Sequence, residues 1–396
     1  MNIDSFALSA YSIKNPKHTA NRQGFKRKNP TIFLMPYLTI FVFFLIFLSG
    51  QSYAESNSVI LTQFGTGNLG IADQSDPSTR NNLINQFQTG ANNTSEAIQE
   101  NGTTDSSIKH IQIGNGNTSL LLSQDNSTAI HVDIIQIGDG NIIASTQLDS
   151  TGSTGSLNQI GQANVINLGQ GSSIYDKITI FQQGYSNDAS GFQFLGSNNN
   201  IFTSQFGNAN VSRNIVIEST NSNIYVLQHG TGNASSATQG IDSLEVITTT
   251  QQGDNNSSDI AQSVGSNNIA NTIQLGSENS LILFQSITSF GKANVFQTGV
   301  LNSLTARQIG FFNDFSTIQI GTENNSDILQ DGDYLAADIL QLGTLNTVTA
   351  EQTGNLNRAL ISQLGVTNNH ELSQSASNNF ALALQAGIGN HGSISQ

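Results

Sequence analysis

Cysteine and tryptophan are absent, and only four prolines occur, three of them before residue 40. A chain without cysteine has neither disulfides nor thiolate metal sites, so something else must hold it together. Charge is scarce as well, at 10 % of residues. Basic residues are the scarcest: after residue 54 there are seven Lys or Arg against twenty-six Asp or Glu, a net of −19. That balance argues against nucleic acid and acidic membrane surfaces as partners. What remains is rich in Gly, Asn, Gln, Ser and Thr. Such a composition marks either a disordered, aggregation-prone chain or a β-repeat protein.

The only long hydrophobic run is "IFLMPYLTIFVFFLIFL" (residues 32–48), preceded by Lys26, Arg27 and Lys28 and followed by Ser52 and Ala54. A basic region, an apolar stretch and small residues predict a signal peptide over 1–54, with a long basic n-region and cleavage after Ala54. An uncleaved membrane anchor is the other reading, although Pro36 interrupts the run. Residues 55–62 form a short segment before the first repeat.

From Gln63 onward the chain repeats. Gln-x-Gly-x-x-Asn motifs start at fifteen glutamines, from Gln63 to Gln385, with spacings that settle from 25 to 23 and then 22. A second glutamine series runs between them from Gln74 to Gln396, broken only at Val216. Residues 63–296 alternate a motif-bearing half with a looser one, whereas 297–396 approach a regular 11-residue repeat. Regularity over more than 330 residues excludes chance composition.

Strand parity places each Gln and the Gly two residues on upon one face. After the turn, Asn and the second, fourth and sixth residues beyond it share that face, as in Ile143, Ser145 and Gln147 after Asn141. These positions hold mainly Ala, Ser, Ile, Leu and Val, so this face is predicted to be buried. Gly and Asn at the turns suit positive φ. The predicted fold is all-β: a solenoid of about fifteen stacked two-arc coils of about 22–23 residues, amyloid-like and cross-β. At ~4.8 Å per coil the stack would be about 70 Å long.

A lone buried glutamine would cost about 1–3 kcal/mol per unmatched polar group. A column of them, one per coil, lets each amide bond the next. The predicted ladder residues are Gln63, Gly65, Asn68 and Gln74 in the first coil, then Gln88 with Asn93, Gln136 with Asn141, and Gln159 with Asn164. Further along they are Gln274 with Asn279, Gln341 with Asn346, and Gln363 with Asn368. Unpaired edges are expected near Gln63, Asn68 and Gln74 and near Gln385, Asn390 and Gln396, where no polar cap is apparent. Such edges are templates for another copy.

The unit in "QTGNLNRALISQ" (Gln352–Gln363) and "QTGANNTSEAIQ" (Gln88–Gln99) resembles the curlin repeat of bacterial curli fibre subunits. The resemblance implies a secreted subunit of extracellular, cell-surface amyloid fibres in the biofilm matrix, acting in adhesion and aggregation. It implies export through the periplasm of a Gram-negative bacterium. The implied partners are other copies, a nucleator or major curlin subunit, periplasmic chaperones and an outer-membrane secretion pore. The chain has about fifteen repeats where such subunits have about five, and it has almost no segment between Glu55 and the first repeat to address the pore. Within this class the chain reads as a major subunit or a nucleator.

Catalytic readings are weak, and neither an enzyme, a cofactor nor a small-molecule substrate is expected. The six histidines (His18, His110, His131, His229, His370, His391) lack metal-ligand spacing, although His110 and His131 could meet on neighbouring coils. Asp331 and Asp333 in "QDGDYL" lack the rest of a calcium loop. Asn-x-Ser/Thr triplets at Asn93, Asn117 and Asn126 follow from the composition. The rival class is a monomeric β-solenoid that acts as an adhesin or binds a ligand on its flat side.

Overall fold

The computed structural model describes residues 56–396, so the predicted signal peptide and its Ala54 site lie outside the described residues. Thirty strands, β1 to β30 in chain order, alternate between two fifteen-stranded sheets. Odd-numbered strands form sheet A, from β1 (Ser58–Thr66) to β29 (Phe380–Ile388). Even-numbered strands form sheet B, from β2 (Leu69–Asp73) to β30 (His391–Ser395). Neighbouring strands are parallel and in register, with glutamine opposite glutamine, as in Gln228 against Gln251 and Gln251 against Gln274. This is the predicted β-solenoid of fifteen two-arc coils.

The inward face follows the predicted alternation. Ile143, Leu281, Leu283, Ala359 and Ile361 are buried, as is a continuous column of Ile, Leu, Val and Ala from neighbouring coils. Size is matched across the thin core: Gly191 stands opposite Ile178 and Ile180, where a Cβ would press on their methyl groups. No coil could bury this surface alone, so stacking supplies the stability.

Each coil closes through two turns of different build. In the tight turn after sheet A, the residue just before the motif Asn adopts φ near +55 to +70°, whether it is Gly67, Glu278 or Leu345. The expectation that Asn serves the turn through positive φ is therefore corrected: the motif Asn contributes its side chain. A bulky residue is tolerated in the left-handed region, at a cost of ~1–2 kcal/mol, because its N–H bonds the preceding coil. Glu278 N–H donates to the Asp254 carbonyl at 2.9 Å, and Leu301 N–H to that of Ser277 at 3.0 Å.

In the first ten coils the second turn carries extra residues, which account for the longer spacings there. Through the first eight of them one residue per turn forms an isolated parallel bridge with its neighbours, running Arg80, Thr104, Thr128, Thr151, Ile174, Ser197, Thr220 and Ser243. From Gln308 onward the turns lose that residue and keep a single left-handed corner, at Phe312, Tyr334, Leu356 and Asn378. Three successive left-handed corners, Phe290 in the last of the longer turns and then Phe312 and Tyr334, stack their rings at 4.7 and 4.9 Å with interplanar angles of 4° and 7°. The ring spacing is that of the strands, so the register of the backbone stacks the rings.

Candidate functional site

The sheet A glutamine ladder and the column of motif asparagines are continuous networks with opposite polarity. In sheet A each motif Gln before Gln385 donates its Nε2 to the Oε1 of the next coil's motif Gln, from Gln63 to Gln88 (2.5 Å) through Gln136 to Gln159 (3.0 Å) and Gln274 to Gln297 (2.8 Å). It continues from Gln341 to Gln363 (3.0 Å) and Gln363 to Gln385 (2.8 Å). The same amide reaches across the core to a backbone carbonyl of sheet B, as from Gln136 to Thr118 O at 2.9 Å. Each glutamine thus ties two sheets and two coils together.

The motif asparagines point the other way. Asn93 Nδ2 donates back to Asn68 Oδ1 (3.1 Å), Asn164 to Asn141 (3.0 Å), Asn302 to Asn279 (2.9 Å), Asn368 to Asn346 (2.9 Å) and Asn390 to Asn368 (2.8 Å). Backbone geometry fixes this direction. The Oδ1 also accepts the next Asn's main-chain N–H, as Asn141 Oδ1 does from Asn164 at 3.1 Å. Meanwhile the Nδ2 of Asn141 reaches forward to Gly161 O at 2.9 Å.

The motif glycine has a second role that parity reasoning missed. Gly253 has φ +115°, and a Cβ there would overlap the carbonyl oxygen of Gly276 in the next coil. The same relation recurs at Gly65, Gly90 and onward through Gly365. Residue type is dictated by close backbone stacking as much as by the turn.

In sheet B the second glutamine ladder runs from Gln74 to Gln99 (2.5 Å) and ends, among the described residues, with Gln374 to Gln396 (3.0 Å). Val216, paired between Gln193 and Gln239, interrupts it. In consequence Gln239 Oε1 is buried without a partner. Val216→Gln is expected to rejoin the ladder and raise stability by about 1 kcal/mol, read as a higher urea midpoint. In contrast, Gln251→Met removes the acceptor of Gln228 and the donor to Gln274. A loss of about 2–5 kcal/mol is expected from the two orphaned groups, measured on the same transition.

The looser turns carry an improvised version of the asparagine column. Where Asn is absent, Ser fills its acceptor role: Ile130 N–H donates to Ser106 Oγ at 3.0 Å and Glu245 N–H to Ser222 Oγ at 3.2 Å. Asp176 Oδ1 does the same for Asn199 N–H at 2.8 Å. Asp242 and Glu245 are the costliest occupants. Ser219 Oγ donates to Asp242, and Asn268 Nδ2 to Glu245 Oε1 at 2.8 Å, yet Asp242 Oδ2 and Glu245 Oε2 are buried and unmatched. Burial pushes Asp242 up to about 7. Burial, with the Asp242 charge beside it, pushes Glu245 up to about 8.

Among the described residues the histidines do not assemble; His18 lies outside them. His110 is buried in β5 (Ser107–Asn115), its Nδ1 2.6 Å from Ser95 Oγ, and burial lowers its pKa to about 3. His131 sits on the outer face beside Ser107 at 2.8 Å. The two therefore lie on opposite faces of sheet A, correcting the expectation that they could meet. Asp333 Oδ1 accepts the Phe311 N–H at 2.8 Å, a turn-stabilising contact. Among the described residues no group of three or more His, Cys, Asp or Glu is placed to hold a metal ion.

Residues 336–365 match the family model of the curlin associated repeat. The chain carries a curlin repeat. That segment spans β25 (Ala336–Thr344), β26 (Thr347–Asn355) and all but the last residue of β27 (Arg358–Val366). Coils outside it keep the same register and ladders, so the geometry of the curlin repeat extends beyond the matched residues. No curated protein matches the chain. A curlin repeat on a β-solenoid suggests a curli-type structural protein and not a catalyst.

Proposed function

We propose that the chain is a structural subunit that adds copies of itself edge to edge, building extracellular curli-like amyloid fibres of the biofilm matrix. The observation that carries this reading is the polarity of the two ladders. At the β29 edge, Gln385 Nε2 bonds only the Asn369 carbonyl among the described residues, and Asn390 Oδ1 ends the asparagine column. At the β1 edge, Gln63 donates its Nε2 to Gln88 and no described residue bonds its Oε1, while Asn68 Nδ2 bonds the Phe64 and Gly90 carbonyls but, among the described residues, no asparagine before it. Donor meets acceptor in both columns when the β29–β30 edge of one copy meets the β1–β2 edge of another. In-register joining would continue both sheets. Secretion through the periplasm, a pore, chaperones and a partner curlin subunit accompany the proposal through the curlin repeat.

The test is seeded growth. Residues 56–396, diluted from denaturant, are expected to form thioflavin-positive fibres after a lag that preformed seeds abolish. The triple variant Gln385→Ala, Asn390→Ala, Gln396→Ala should elongate at least tenfold more slowly, given about 1 kcal/mol per lost amide bond. Equal rates for variant and parent would remove the β29–β30 edge from the mechanism.

A further inference from the structure

The outer faces of the two sheets differ. Flanking each ladder glutamine are two outward residues, the one before it and the one after it, which in-register pairing lines up into two columns per sheet. In sheet A these columns comprise thirty positions, and none is Asp, Glu, Lys or Arg. Twenty of the thirty are Ala, Ile, Leu or Phe, such as Ile137, Leu227, Ile273, Ile318 and Ile320. In sheet B the corresponding columns carry six charges, Asp73, Glu100, Asp125, Arg307, Asp331 and Glu351. Alternation alone asks only that outward residues tolerate water, so it explains neither the lack of charge nor its confinement to one sheet.

We propose that this stripe of sheet A is a lateral interface on which a second copy of the chain packs, sheet A against sheet A. Two observations favour another copy over an unrelated partner. The described chain is strongly acidic, so two copies repel wherever charge faces charge. Of the two sheets, A alone offers a full-length stripe beside its glutamine ladder where acidic chains approach without juxtaposing carboxylates. The dimensions also suit a self-complementary pair. Fifteen strands at ~4.8 Å make the stripe ~70 Å long, and two outward columns with their flanks make it ~12 Å wide. That is ~800 Å² per partner, the size of a standard stable interface, and larger than the apolar patches ordinary monomers leave exposed. Facing sheets pack about 10 Å apart with interdigitated side chains, and a twofold axis lets one stripe serve both copies.

Lateral pairing goes beyond edge-to-edge growth, and the two can fail separately. The variant Leu227→Lys, Ile273→Lys, Ile318→Lys places three charges on the stripe at positions already 37–41 % exposed. The control Ile282→Lys, Phe284→Lys adds charge to the outer face of sheet B, at positions 38 % and 42 % exposed. Circular dichroism checks that each variant keeps its β-fold. Mass per length of the fibres by scanning transmission electron microscopy is expected to halve in the stripe variant and to stay at the parental value in the control. Where the parent forms no fibres, edge-to-edge growth fails, and sedimentation of the soluble chain reads the stripe instead: dimer for parent and control, monomer for the stripe variant. Equal mass per length, or equal sedimentation, across all three would overturn the proposal. So would a parent of one chain per cross-section, or a soluble monomeric parent whose stripe binds neutral phosphatidylcholine vesicles.

Discussion

Gly253→Ala is expected to unfold the coil that contains it and to prevent the stack from closing around it. At φ +115° an L-residue is strained whatever the space available, and here the space is occupied by the Gly276 carbonyl. The clash is with backbone, so no side-chain rotation relieves it. Relief would require coils to separate locally, with loss of flanking bonds such as Gln251 to Gln274 (2.8 Å) and Asn256 Nδ2 to Gly276 O (2.8 Å). Strain and lost bonds together are expected to reach at least about 4 kcal/mol. Hydrogen exchange would show protection lost around residues 228–279 and retained in distant coils, because repeat stability is set by nearest neighbours. The comparison variant is Gly240→Ala, in sheet B, where a Cβ meets only the Ile217 carbonyl at 3.9 Å. It should leave the exchange pattern unchanged.

The second large effect is on pH dependence. Asp242 and Glu245 have folded pKa values raised to about 7 and about 8 from ordinary carboxyl values of 3.8 and 4.5. For raised acids the folded state holds protons that the unfolded state releases, so their contribution is full below about pH 4 and is lost as pH rises toward 8. At ~1.4 kcal/mol per unit of pKa difference, the shift of Asp242 alone corresponds to a decline on the order of 4 kcal/mol across that window, and Glu245 adds to it. The double variant Asp242→Asn, Glu245→Gln keeps the acceptors used by Ser219 and Asn268 and removes the titration. Urea midpoints of the variant should exceed those of the parent by pH 8 and converge with them near pH 4. Parallel curves for the two proteins would show that the carboxyls titrate normally. His110 acts with the opposite sign. Its pKa falls from 6.5 to about 3, so its contribution is lost as pH drops below 6.5.

Which parts of this were legible in the sequence follows from how many coils share a constraint. The glutamine period, the inward parity of Ile143 or Leu283, and the coil count all arise from constraints repeated fifteen times, and repetition makes them visible. Direction within the ladders is not encoded by residue type, since an amide can point either way. It follows from main-chain donors such as Asn164 N–H, which a sequence does not locate. The left-handed corner beside the motif Asn was hidden because Glu278 and Leu301 fill it, held by bonds to the previous coil instead of by intrinsic preference. Asp242 and Glu245 were missed for a simpler reason. The residue added to that turn moves them to three and six positions beyond Gln239, whereas Gly310 and Asn313 lie two and five beyond Gln308. Aligning the looser turns with one residue inserted would have put both carboxyls, with Asp176, into columns held mostly by small or amide residues. The absence of charge beside the sheet A glutamine ladder was present in the sequence too, but it acquires meaning only when alternate glutamines are assigned to separate sheets.

The central claim is that coils stack in parallel register and that copies continue the stack. Fibre diffraction from an aligned sample of residues 56–396 tests both parts together. The account predicts a sharp meridional reflection near 4.7–4.8 Å from strands perpendicular to the fibre axis, with a broader equatorial one near 10 Å from the paired sheets. A β-rich chain that stays monomeric with seeds present, or fibres whose strands run along the axis, would contradict it.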